Sequence, residues 1–188
     1  HFVLRLFIAF LPAAILGLLF HKAIKAYLFS PLYVALALIL GGVVMIAIEK
    51  RPLKINTKTT NDISMTQAFK IGCAQCLSLI PGVSRAAATI MGGMLTGLNR
   101  KVATEFSFYL AVPTMCAATG YKILKSYRAF TLDHLYLLVL GNLIAFVVAI
   151  AAIRFFLGYL QQKGFRLFGW YRILVGITLL ILIQRGLL

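Results

Sequence analysis

The chain has 188 residues, of which 62% are hydrophobic and 12% charged, with a mean hydropathy of +0.96 and a net charge of +15 from 19 Lys and Arg against 4 Asp and Glu. That is far more apolar and less charged than a water-soluble domain, so a soluble globular protein is excluded. The basic excess would suggest nucleic acid in a soluble protein, but here it lies between apolar runs, where anionic lipid headgroups account for it and no nucleic-acid partner is expected.

In chain order, residues 2–20 are apolar apart from Arg5, with Pro12 as an expected kink. No basic region or cleavage site marks this run as a signal peptide, so it reads as a span of the mature protein. The chain begins at His1 and enters that span almost at once, and residues upstream of His1 are expected. Residues 31–48 are uncharged and long enough to cross a bilayer. Residues 49–70 are polar and basic (Lys50, Arg51, Lys54, Lys58, Lys70), with Asn and Thr that suit an exposed loop. Beyond residue 99, the segments 106–121, 135–153 and 167–183 are three further expected spans.

Between Lys70 and Arg100 the only charge is Arg85, which directly follows Pro81-Gly82-Val83-Ser84. The apolar pieces on either side, residues 71–84 and 86–99, are about 14 residues each and cover roughly 21 Å, short of a bilayer core of about 30 Å. Two half-length helices meeting at a Pro-Gly turn predict a re-entrant pair over 66–99. Charge counting agrees. If the pair returns to its starting side, Lys50, Arg51, Lys54, Lys58, Lys70, Arg100, Lys101, Arg154, Lys163 and Arg166 share one face, against Lys22, Lys25, Lys122, Lys125 and Arg128 on the other. A single crossing nearly equalises the two faces. The positive-inside rule therefore favours the pair and places the 49–70 loop in the cytoplasm. The expected architecture is an all-α polytopic membrane protein, one integral membrane domain over 1–188, with about five transmembrane helices and one re-entrant helix pair.

An arginine at bilayer depth costs at least a few kcal/mol, so such residues face a protein interior or aqueous cavity and find an anion. After the Pro-Gly break a helix restarts near Ser84, with its first amides unpaired and its dipole positive. Amides, a hydroxyl and a guanidinium then converge as the parts of a phosphate or diphosphate site, against a bland alternative in which Arg85 is a structural ion pair. Other residues have structural readings. Cys73 and Cys76 form a lone CxxC without a second pair or nearby histidine, and Cys116 lies in another apolar run. Gly92, Gly93 and Gly97 suit close helix packing. Trp170, Tyr171 and Arg172 read as an interfacial anchor, and Glu105 as a partner for a basic group or a helix start.

The ordered set Gln67-Ala68-Phe69, Ile71-Gly72-Cys73, Gln75-Cys76-Leu77, Pro81 to Arg85, Ala88-Thr89-Ile90, Gly92-Gly93-Met94, Glu105-Phe106-Ser107-Phe108 and Ala111-Val112-Pro113 resembles the second conserved region of the bacterial undecaprenyl-diphosphatase family, known for bacitracin resistance. Leu11-Pro12-Ala13 with Leu16 to Phe20 resembles the span that precedes that region. The resemblance implies hydrolysis of undecaprenyl diphosphate to undecaprenyl phosphate and inorganic phosphate, which recycles the lipid carrier of peptidoglycan synthesis in the bacterial inner membrane. It also implies two inverted-topology halves, each with a re-entrant pair, around a site reached from the periplasm. The family pattern PGxSRSGxT maps onto Pro81 to Thr89, which makes Arg85 and Ser84 catalytic candidates and Gly82, Val83, Ser84, Arg85 and Thr89 candidate contacts to the diphosphate. Two positions depart from it: the family's second Ser and its Gly are Ala86 and Ala87 here.

The family's first conserved region, with its glutamates, serine and histidine, has no match in this chain, which resembles the later part of such an enzyme. Anhydride hydrolysis needs cations for developing charge, an activated nucleophile and a proton donor. Arg85 supplies the first, but none of His1, His21 or His134 is placed to activate Ser84. The chain alone is therefore expected to be inactive. A divalent cation, Mg2+ or Ca2+, is implied by the resemblance alone, and no ligands for it are identified in this sequence. The second reading is a lipid-phosphate or anion transporter, because broken helices at the midplane are also a transporter device. The sequence leaves the oligomeric state open.

Overall fold

With no water in the hydrocarbon core, a backbone there must satisfy its own hydrogen bonds, and these apolar runs do so as helices. The computed structural model describes residues 1–126 and 132–187. Arg128 lies outside them, as do the side chains of His21, His134 and Lys163. The elements are α1 (Phe2–Tyr27), α2 (Pro31–Lys50), α3 (Met65–Cys76), α4 (Arg85–Leu95), α5 (Arg100–Ser126), α6 (Leu132–Lys163) and α7 (Arg166–Gln184). No strand is present among the described residues.

Four helices, α1, α2, α6 and α7, are long and apolar enough to cross a membrane. The fifth expected span, 106–121, lies inside α5, whose 27 residues extend about 40 Å. This helix is less apolar because it carries charges near both ends (Arg100, Lys101, Glu105, Lys122 and Lys125) and polar residues such as Thr104, Ser107 and Thr114 between them. Two of its threonines are satisfied within the helix: Thr104 donates to the Arg100 carbonyl at 2.7 Å and Thr114 to the Leu110 carbonyl at 2.8 Å. Small residues set the tightest packing. A β-carbon on Gly42 of α2 would lie 2.5 Å from the Gly169 carbonyl oxygen of α7, and one on Gly176 would lie 2.8 Å from that of Ala35. Gly92 likewise lets α4 approach Ala74 of α3, and Gly93 lets it approach Ala103 of α5.

Helices α3 and α4 form a hairpin of 12 and 11 residues, about 18 and 17 Å long. Its limits differ from the 71–84 and 86–99 expected. The first helix starts at Met65, because Ser64 and Gln67 make a reciprocal capping box. The second stops at Leu95, because Gly97 turns the chain at φ +97° and Asn99 caps α5, its Oδ1 accepting from the Val102 amide at 2.8 Å. Gly97 thus serves a turn rather than close helix packing. The hairpin's two ends meet. Gln67 Nε2, in the first turn of α3, donates to the Thr96 carbonyl at 3.0 Å. The amides of Asn56 and Thr57 donate to the Gly97 carbonyl at 2.8 and 3.1 Å, and the Asn99 amide to the Thr57 carbonyl at 3.1 Å. At the other extreme, the apex packs beside Val34 and Ala37 of α2. That is about 20–24 Å from Lys50 along the α2 axis, less than a bilayer core of about 30 Å.

The sequence assigned Glu49 to the exposed loop. It stands instead in the last turn of α2, its side chain 8% exposed and 2.7 Å from Arg100 Nη2. The Phe165 amide donates to both of its oxygens, at 3.0 and 2.9 Å. One carboxylate therefore joins the end of α2, the start of α5 and the start of α7. A buried charge left without its partners is destabilising by about 3–5 kcal/mol. Glu49→Ala should accordingly lower the melting temperature of the detergent-solubilised protein strongly, and Glu49→Gln, which keeps an acceptor for Phe165, should lower it less. Unchanged melting of Glu49→Ala would show that the carboxylate does not hold these three helix ends together.

A candidate anion site at the hairpin apex

Pro81 and Gly82 occupy the corners of a turn in which the Val83 amide donates to the Ile80 carbonyl at 3.0 Å. Gly82 has φ +90°, a conformation that a second corner residue of this kind requires and that other residues adopt only with strain. A β-carbon there would also lie 2.7 Å from the Val34 carbonyl oxygen. The turn thus has two reasons for glycine, one conformational and one steric.

Ser84 caps α4, its Oγ accepting from the Ala87 amide at 3.3 Å. Because that oxygen is the acceptor, the hydroxyl proton is free to donate elsewhere. Helix geometry leaves the earlier amides of the turn, those of Arg85 and Ala86, without intrahelical acceptors. The half-buried Arg85 guanidinium donates through Nη1 to the Ser107 carbonyl of α5 at 3.0 Å. Thr89 is 1% exposed and lies beneath it, 2.6 Å from Ser107 Oγ and 2.9 Å from the Arg85 carbonyl. With the Thr89 proton on that carbonyl, Ser107 is the donor of the hydroxyl pair. The structure thus brings Ser84, Arg85 and Thr89 together, with Thr89 holding α4 to α5 from inside. The Val83 amide is taken by the turn, while its side chain lines an apolar groove. Ala86 and Ala87 lie in regular helix, and no residue other than glycine has positive φ among the described residues. The replacement of the family's glycine by Ala87 therefore costs this backbone nothing.

The sequence reading missed one participant. Arg172, taken there as part of an interfacial anchor, turns inward while Trp170 and Tyr171 remain exposed. Its Nη2 donates to the Gly82 carbonyl at 2.8 Å and to the Ala37 carbonyl at 3.3 Å. Spacing alone could have flagged it as a lone charge within a span. A second polar group of note is Gln75, 1% exposed, with both amide atoms unpartnered among the described residues. It lines a cavity of about 620 Å³ between α1, α3 and α5. The cysteines are free, and no group of three or more His, Cys, Asp or Glu able to hold a metal occurs among the described residues. Near the apex no carboxylate pairs with Arg85 or Arg172, since the ion pair found among the described residues is Arg100 with Glu49.

Residues 1–178 match the family described as bacitracin resistance protein BacA. An undecaprenyl-diphosphatase of Nitrosomonas europaea is 52% identical over 186 residues, covering 99% of this chain and 68% of that protein. That of Nitrosomonas eutropha is 52% identical, covering 100% of this chain and 68% of its own length. The Neisseria gonorrhoeae protein of the same name is 49% identical over 98% of this chain and 68% of its own.

The strained turn is open to a direct measurement. Gly82→Ala forces a β-carbon into both a disfavoured φ and the Val34 backbone, at a cost of about 1–3 kcal/mol from conformation alone. The variant should melt earlier in detergent and be cleaved faster by protease near the apex. Wild-type behaviour in both assays would mean that the turn relaxes without penalty.

Proposed function

Because this chain belongs to the bacitracin resistance protein BacA family, we infer that it is an undecaprenyl-diphosphatase, a membrane hydrolase that converts undecaprenyl diphosphate to undecaprenyl phosphate and inorganic phosphate. The observation that carries this is about 50% identity, across nearly the whole chain, to proteins of that name. In the reaction a water-derived oxygen bonds to the terminal phosphorus, the bridging anhydride bond breaks, and the lipid monophosphate leaves. Both the attack and the departure concentrate negative charge on phosphate oxygens.

The apex offers groups suited to that charge. Arg85 supplies a guanidinium fork, the Arg85 and Ala86 amides form the positive end of α4, and Ser84 has a proton free for a phosphate oxygen. Thr89 and Ser107 hold Arg85 in register from below. Ser84 as a nucleophile would need a base, and no described side chain accepts its proton. The described residues do not by themselves fit a divalent cation, since their His, Cys, Asp and Glu form no ligand cluster.

The bundle end that joins Glu49, Arg100 and Phe165 carries most of the basic residues, which supports placing it in the cytoplasm. The apex then lies toward the opposite leaflet, and the site opens to the periplasm.

Phosphate release by the purified full-length protein, with the part upstream of His1 supplied, tests the activity in detergent, because a phosphatase turns over with no membrane to cross and a transporter does not. Arg85→Ala and Arg85→Lys should each reduce turnover by about a hundredfold, since an ammonium does not reproduce the bidentate fork. Near-normal turnover of Arg85→Ala would return the residue to a structural role. Orientation is read by single-cysteine labelling in a cysteine-free background. Positions 56 and 101 should react from the same, cytoplasmic side, and labelling from opposite sides would refute the re-entrant arrangement.

A further inference from the structure

Arg172 is a full charge about a third of the way along an apolar helix, placed among backbone carbonyls with no carboxylate beside it among the described residues. Its Nη2 contacts the carbonyls of Gly82 and Ala37, while its Nε is buried with no partner among the described residues. Space for it is built in, since a β-carbon on Gly41 would lie 2.6 Å from Nη2. Carbonyl oxygens offset part of the desolvation of a guanidinium but leave its net charge without a counter-charge among the described residues, which points to an anionic partner.

The same guanidinium and Ser84 line a groove of about 510 Å³ between α2 and α4. From these two polar groups toward the basic end of the bundle, the walls are apolar. They are formed by Ala88, Met91 and Leu95 on α4, which share a face with Ser84 at helical spacing, and by Leu40, Val44 and Ile48 on α2. That stretch runs about 16 Å from Ser84 to Leu95. On the other side the groove continues past Tyr33 toward the opposite end of α2.

We propose that this groove seats the hydrocarbon tail of the polyprenyl diphosphate, with Arg172 and Ser84 holding the phosphate next to that tail. The proposal rests on the phosphatase reading above and adds the location of the lipid and a second cation. Charge complementarity selects the occupant: a cation without a carboxylate and a free hydroxyl proton meet an anionic head, and an uncharged cleft continues from them. A lipid with its phosphate at Arg172 and its tail toward Leu95 and Ile48 points its tail at the basic end, so it enters from the leaflet opposite the 51–64 loop.

The test compares phosphate release from dimethylallyl, farnesyl and undecaprenyl diphosphate by the purified full-length protein, with the part upstream of His1 supplied. Arg172→Gln should raise KM for all three substrates by about tenfold or more, because each carries the same head. Ala88→Phe, which fills the groove one turn beyond Ser84, should raise KM for the farnesyl and undecaprenyl substrates by about tenfold while leaving that for the five-carbon substrate unchanged. Leu95→Trp, at an exposed position at the far end, guards against a folding artefact and should impair the undecaprenyl substrate alone or most. In addition, a farnesyl diphosphate analogue bearing a benzophenone at its tail should crosslink to α2 or α4 between the levels of Ala88 and Leu95. Crosslinks confined to α1 or α5, or equal KM changes for all chain lengths in Ala88→Phe, would overturn the groove. A wild-type protein that binds the analogue at this groove but releases no phosphate would sink the phosphatase reading and leave the lipid site standing.

Discussion

The Glu49 carboxylate is the contact from which the rest of the arrangement is measured. It is one of 4 acidic residues in a chain of 19 basic ones, and it is buried where α2 ends and where α5 and α7 begin. In a medium that exchanges no hydrogen bonds, such a group must be fully paired, and here it is: Arg100 neutralises its charge and the Phe165 amide fills both oxygens. Three elements distant in sequence are thereby held at one end of the bundle. The hairpin of α3 and α4 leaves that end and returns to it, its two feet fastened to the 56–57 segment.

With its base fixed, the hairpin carries its apex partway along α2 and no farther. That depth is where the site's chemistry becomes consistent. Two guanidiniums stand near the apex, Arg172 from α7 on the Gly82 carbonyl of the turn and Arg85 from the start of α4 on the Ser107 carbonyl of α5. Arginine suits this role because its charge persists on burial and its planar fork matches a phosphate edge. The glycines at 41 and 82 make room for one of these arginines and for the turn itself. Positive charge is thus built into the apex while the walls beside it remain hydrocarbon, which suits an amphiphile better than a free ion.

The Thr89 and Ser107 pair shows why a motif residue need not face a ligand. Its hydroxyls are consumed by each other and by the Arg85 carbonyl, inside the α4 and α5 interface. Replacing either would remove a hydroxyl contact between α4 and α5, beside the Ser107 carbonyl that accepts from the Arg85 guanidinium. Proximity of this kind, one turn below a cation, gives polar residues in an apolar helix a purpose that hydropathy alone cannot assign.

Membrane residence, helical character and a break at Pro81-Gly82 were all legible in the sequence, because each depends on composition or on the local chemistry of one or two residues. Arg85 stood out for the same reason, as a lone charge between Lys70 and Arg100. The limits of the hairpin helices were less legible, since capping by Ser64 and Asn99 depends on geometry that apolar periodicity does not encode. Tertiary structure alone decided the roles of Glu49 and Arg172. One looked like part of a loop and the other like a surface anchor, and Phe165, which pairs with Glu49, and Gly82, which pairs with Arg172, lie 116 and 90 residues away in sequence. A side chain's local sequence determines that it is charged and roughly where it lies along a helix. Which neighbour satisfies that charge is set only when α2 and α7 pack at Gly42 and Gly169, because burial converts an exposed charge into one that must find a partner.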